Sequence, residues 1–147
     1  MPVARAPFAT NFTPLVYTGV LVPIGVGYAA GLAVAIVRVA GEFKYLPCGA
    51  LPANHPGHFT GFLSMAATEG RGALVTVGRG SRVTPIVENG SPMVPESPVF
   101  LSVTPGKVTQ TPVDPMAHPG ATHLWLGAAI SETEMVLLTD APIRFGG

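Results

Sequence analysis

A chain of 147 residues, 48% hydrophobic and 11% charged, with eight basic side chains offset by eight acidic ones, has the length of one domain and no net field to attract a polyanion. Nucleic acid is therefore not an expected partner, and the single cysteine, Cys48, excludes an intrachain disulfide. The 18 glycines and 16 prolines would suit a disordered chain, but the apolar content is too high for one, so the mixture points to short strands joined by tight turns. So much apolar surface on a weakly charged chain also calls for self-association or a large partner.

In chain order, residues 1–14, MPVARAPFATNFTP, hold three prolines and no periodicity, and read as an extended N-terminal arm. Arg5, Phe8 and Phe12 are its candidate anchors on a larger partner or a neighbouring subunit. No charge occurs from Ala6 to Val37, a run long enough by count to cross a bilayer. Pro14 and Pro23 interrupt that run, and Gly19, Gly25, Gly27 and Gly31 punctuate it. A secretory signal fits poorly as well, since Arg5 is the only early charge. Neither a membrane nor an export signal is expected; the preferred reading is two strands, 15–22 and 33–39, buried on both faces and split by a turn over 23–27. Residues 28–39 remain open between a strand and a short helix.

Further strands are expected at 42–46, with Phe43 and Tyr45 on one side and Lys44 on the other, at 58–65, with Phe59, Gly61, Leu63 and Met65 alternating against His58, Thr60, Phe62 and Ser64, and at 73–77. A loop fills 47–57, and turns fall at 68–72, 78–81 and 89–90. Pro85 consigns 82–87 to a sheet edge. The last strands are placed at 98–104 and 107–111, around Pro105-Gly106, and at 122–130 and 134–139. Turn signals about every ten residues make the chain all-β, a compact barrel spanning 15–147 behind the arm. A faint internal echo relates VAGEFKYL, HPG and GFLS to TPGKVTQT, HPG and GAAI at an offset of 63 to 66 residues, the mark of two copies of one hairpin-loop-strand unit.

Reactive constellations are scarce. GVGYAAG, 25–31, has the spacing of a dinucleotide cradle, but such a cradle needs a helix and a second parallel strand, and Pro23 and the turn-dense remainder supply neither. His55, His58, His118 and His123 fall in two loops without a cysteine or carboxylate at a metal-ligand spacing. Ser64 and Ser81 lack a nucleophile elbow, Asp114 and Asp140 stand beside prolines, and Glu132 and Glu134 share one strand side where solvation is the simpler reading. Arg71, Arg79 and Arg82 read as solvated hairpin ends. No catalytic, cofactor-binding or metal-binding residue is assigned, and no enzyme is expected. An adhesin-like β-domain that binds glycans would use Trp125, Tyr17 or Tyr45 as stacking platforms.

PVFLSVTPGKVTQTP (98–112) followed by HLWLGAAISETEMVLLTD (123–140), with GFLSMAATEGRGALVTVGRGSRV upstream, resembles the C-terminal unit of tailed-phage head decoration (cement) proteins, especially those of thermophilic siphophages that infect Thermus. The likeness covers 58–140. It implies a homotrimer with a β-tulip barrel at three-fold and local three-fold positions on the outer surface of the expanded capsid. The partners it implies are the major capsid protein and, through the arm, neighbouring decoration subunits, with the shell braced against packaged DNA. In that setting Thr109 and Thr111 face outward while Val103 and Val108 close the apolar side of the hairpin, and the hairpin serves architecture.

Overall fold

Runs of β-branched and aromatic residues between glycine turns form ten short strands in the computed structural model, which describes residues 15–16, 20, 22–23 and 27–138. They are β1 (Leu15–Val16), β2 (Ala33–Val39), β3 (Glu42–Pro47), β4 (Phe59–Leu63), β5 (Val75–Thr76), β6 (Arg82–Val83), β7 (Pro98–Leu101), β8 (Val108–Thr109), β9 (Trp125–Ala129) and β10 (Met135–Leu137). Among the described residues helix is confined to three single 3₁₀ turns, so the structure is mostly β. The strands make two five-stranded antiparallel sheets, ordered β1-β5-β4-β2-β3 and β6-β10-β9-β7-β8.

Adding five to each strand number of the first sheet gives the second. The register repeats too: Val34 opposite Gly61 and Ala35 opposite Phe59 become Val99 opposite Gly127 and Phe100 opposite Trp125. Leu63 opposite Val75 becomes Ala129 opposite Met135, and Val16 opposite Val75 becomes Val83 opposite Met135. Backbone bonds beyond the strands follow the same rule, since Gly31 N–H donates to the Leu63 carbonyl and Glu96 N–H to the Ala129 carbonyl. The echo in the sequence is thus a duplicated fold unit.

Each unit carries a bulge at the same place. In β4 the skipped residue is Thr60, whose hydroxyl accepts the Ile36 N–H at 3.2 Å and donates to the His58 carbonyl at 3.0 Å, so the interrupted ladder keeps its hydrogen bonds. The bulge overturns the simple alternation expected for 58–65: Phe59 and Phe62 share one face, with rings 5.6 Å apart and edge-on, while Leu63 takes the other. In β9 the skipped residue is Leu126, which turns into the core.

The front of each sheet is the face bearing Val34, Tyr45, Leu63 and Val75 in the first and their counterparts Val99, Val108, Ala129 and Met135 in the second. Sheet two lays its front on the back of sheet one, where Ala33, Ala35, Phe59 and Phe62 complete the main core. The front of sheet one packs beneath Val20, Val22 and Ala67. Backbone bonds stitch the units together: Ala33 N–H to the Gly106 carbonyl (2.9 Å), Gly106 N–H to the Cys48 carbonyl (2.7 Å) and Ala50 N–H to the Ser102 carbonyl (2.8 Å).

Residues 28–39 form a bridge from Tyr28 to Ala67 and then strand β2, which closes the helix alternative. As Pro85 implied, β6 is an edge strand that ends before it, and Val87 then makes a parallel bridge to Val108. The hairpin around Pro105-Gly106 is shorter than expected, β8 holding only Val108 and Thr109. The arm, residues 1–14 with Arg5, Phe8 and Phe12, lies outside the described residues, as do 139–147.

Two glycines fix the spacing within the sheets. A Cβ on Gly61 would be driven into the Thr76 carbonyl oxygen, and one on Gly127 into the Val136 carbonyl oxygen, the equivalent contact in the other unit. Gly61→Ala and Gly127→Ala are each expected to cost about 3 kcal/mol in denaturant unfolding, since backbone cannot yield as a side chain can. At the Gly31 position of the second unit stands Glu96, with φ 71. Glu96→Gly is expected to raise stability by about 0.5–1 kcal/mol, because relief of left-handed strain outweighs the added freedom of the unfolded chain.

Candidate functional site

The segments 98–112 and 123–138 build the greater part of sheet two. Because Val99, Leu101, Met135 and Leu137 point into the core, their neighbours Phe100 and Val136 point outward. The cross-strand rows on that back face are Thr109, Phe100 and Trp125, then Pro98, Ala128, Val136 and Arg82. The His123 ring lies on Phe100 with centroids 4.7 Å apart, which covers Phe100, while Trp125 remains 42% exposed. Arg82, at the edge, is the single charge in these rows. Such a face gains from docking against another apolar surface and offers little to a charged partner.

The opening of the second hairpin behaves as architecture. Val108 is buried, Thr109 accepts the Thr111 N–H at 3.1 Å, Thr111 is exposed and Val103 is half-buried. Beside it a cleft of about 220 Å³ is lined by Glu88, Ser102, Thr109, Asp114 and His118 among others. Ser102 is a buried hydroxyl that the sequence did not signal, since it reads there as one residue of a strand. Its hydroxyl donates to the Glu88 carboxylate and its oxygen accepts the Thr104 N–H at 3.0 Å, while the Thr104 hydroxyl also reaches Glu88 at 3.3 Å. This carboxylate closes the turn before β8. The Asp114 carboxylate does the same for its own loop by accepting the Met116 N–H at 2.9 Å.

The other candidate residues are scattered. His55 and His58 meet edge-on at 6.2 Å, His123 stacks on Phe100, and His118 donates its backbone N–H to the Asp114 carbonyl. Among the described residues no group of three His, Cys, Asp or Glu side chains converges on a metal position. Ser64 shares a hydrogen bond with the Thr76 hydroxyl at 2.8 Å, and buried Ser81 donates to the Val77 carbonyl at 3.0 Å. Glu132 and Glu134 lie in the turn before β10, which corrects their placement on a strand. Arg79 donates to the Leu138 carbonyl at 2.6 Å, while Arg71 and Arg82 are exposed on other segments. The segment 27–33 leads into strand β2 with no helix to receive a pyrophosphate, and among the described residues no helix is long and apolar enough to cross a membrane.

Of the three stacking platforms, Trp125 alone is exposed among the described residues. Tyr17 lies outside them, and Tyr45 is buried at the front of sheet one, where its hydroxyl has no hydrogen-bond partner among the described residues and its carbonyl accepts the Tyr28 hydroxyl at 2.9 Å. Burial disfavours the phenolate and raises the pKa of both tyrosines. Comparison with protein families, with curated proteins and with solved structures finds no match to this chain.

Cys48 sits where the units meet. Its thiol donates to the His55 carbonyl at 3.4 Å, and burial pushes its pKa from 9.0 up to about 12. The unfolded chain therefore loses that proton first, so stability is intact below pH 9 and declines as the pH climbs toward 12, at about 1.4 kcal/mol per pH unit. Denaturant unfolding at pH 8, 10 and 11 is expected to show this slope, with a shallower one in Cys48→Ala. An identical pH dependence in the two proteins would assign the alkaline loss to the tyrosines alone.

Proposed function

We propose that the chain is a structural capsid decoration protein, which binds the expanded head of a tailed phage as a trimer and braces it against internal DNA pressure. The observation that carries this reading is the aromatic back of sheet two, whose cross-strand rows hold one charge, Arg82 at the edge. It is built largely from the segments that resemble decoration proteins, and it makes a surface for assembly where an enzyme would show a reaction centre. The carboxylates and hydroxyls around it are engaged in closing turns, which fits a scaffold whose work is to hold shape. Under this reading the two curled sheets form the β-tulip barrel, the protein resides on the outer surface of the virion after synthesis in the host cytoplasm, and Arg5, Phe8 and Phe12 anchor the arm on the major capsid protein or a neighbouring subunit.

Purified protein is expected to co-sediment with expanded heads and not with unexpanded ones. Removal of residues 1–14 is expected to weaken head binding by tenfold or more while leaving the trimer intact. Equal binding to both head forms would defeat the assignment, and unchanged affinity after the truncation would defeat the role of the arm.

The exposed Trp125 ring favours one second reading, a head-fibre or adhesin-like domain that stacks host surface sugars on it. A glycan array separates the two: binding that Trp125→Ala abolishes supports the adhesin, and an array without hits removes it.

A further inference from the structure

The duplication leaves each unit one half of the same contact. Inside the chain, the front of sheet two is sealed by the back of sheet one. Among the described residues the front of sheet one is covered only in part, by Val20, Val22, Ala67 and Ala73, and the back of sheet two only where His123 lies on Phe100, and each face keeps more exposed positions at its margin.

On the front of sheet one, register equates Ile36 with Leu101, Val77 with Leu137 and Tyr28 with Met93. In sheet two these positions are fully buried, Leu101 at 0%, Leu137 at 1% and Met93 at 2% exposure, whereas Ile36, Val77 and Tyr28 are only half-buried. The hairpins differ in the same sense. Gly106 docks the second hairpin against Ala33 and Cys48, while its counterpart Phe43 stands 53% exposed. The one charge beside it on that face, Arg38, lies over the Phe43 ring at 5.6 Å and leaves the surface largely apolar.

On the back of sheet two, Trp125, Phe100 and Ala128 are the counterparts of Phe59, Ala35 and Phe62. Those three are buried by the contact within the chain, whereas Trp125 is 42% exposed, Ala128 is half-buried and Phe100 is covered by the His123 ring. Pro98 and Thr111 take the places of Ala33 and Cys48, and since Pro98 has no N–H to donate, apolar burial has to supply most of the contact there.

We infer that the front of sheet one of one copy packs on the back of sheet two of a second copy, repeating between chains the contact that joins the two units within a chain. The surfaces are different and complementary, so the interface is heterologous: each copy offers one front and one back, and the series ends only by closing into a ring. The inference supplies the interface for the trimer proposed above without resting on its attachment to a capsid.

The test uses the full chain and two substitutions at exposed positions, Phe43→Asp on the front and Trp125→Glu on the back. By light scattering after gel filtration, the native protein is expected to be a closed oligomer and each variant a monomer. An equimolar mixture of the variants is expected to form a dimer and nothing larger, because one intact front meets one intact back. A monomeric native protein, variants of unchanged mass, or folded variants that stay monomeric when mixed would each overturn the inference. Should either variant fail to fold, Trp125→Cys labelled with benzophenone maleimide replaces it. Photocrosslinks are then expected on residues 28–43 or 77 of a second copy, and crosslinks confined to other residues, or none, overturn it equally. An oligomer with the expected interface that ignores phage heads leaves this inference standing and removes the decoration role.

Discussion

The contact on which the structure depends is the burial of one sheet's front on the other's back. Neither five-stranded sheet can hide its apolar faces alone: β2 and β4 carry large side chains on both sides, because alternate residues of a strand point opposite ways and nearly all of these are hydrophobic. Stacking the second unit on the first removes Phe59, Phe62, Leu101 and Met135 from water together. The turn of the second hairpin then locks the stack through Gly106, which hydrogen-bonds Ala33 and Cys48 and leaves no room for a side chain against Leu32.

That contact also explains how polar residues are used. The Thr60 hydroxyl mends the bulge that turns Phe59 and Phe62 to the same side, and Glu88 gathers the hydroxyls of Ser102 and Thr104 to close the turn leading into β8. These are groups that a reaction centre would also need, yet each is committed to backbone geometry. With 11% of residues charged, the surface has little charge with which to repel a second apolar face.

Duplication gives this economy a direction. One unit repeated in tandem and packed front to back is not symmetric about its interface, so the two outermost faces of the pair cannot be alike. The first unit closes its front in part with Val20, Val22 and Ala67. The second leaves its back, with Trp125 and Phe100, as the plainer apolar sheet.

The sequence by itself determined the mostly β character, the turns at Ala40-Gly41, Asn89-Gly90 and Pro105-Gly106 and the edge position of the strand before Pro85, and the repeated HPG and glycine-led strands gave a faint trace of two related units. These are local properties: a positive φ favours glycine or asparagine, and proline cannot donate to a ladder. Tertiary structure alone decided the rest. The bulge at Thr60 reversed the sides of Phe62 and Leu63, which no period-two count reveals, because one extra residue in a strand inverts every side chain beyond it. Tyr45 and Trp125 look equally available in the sequence, yet one lies in the core and the other on the surface, because Tyr45 sits on the part of its front that Val20, Val22 and Ala67 cover, whereas on the back of sheet two His123 covers Phe100 and leaves Trp125 exposed.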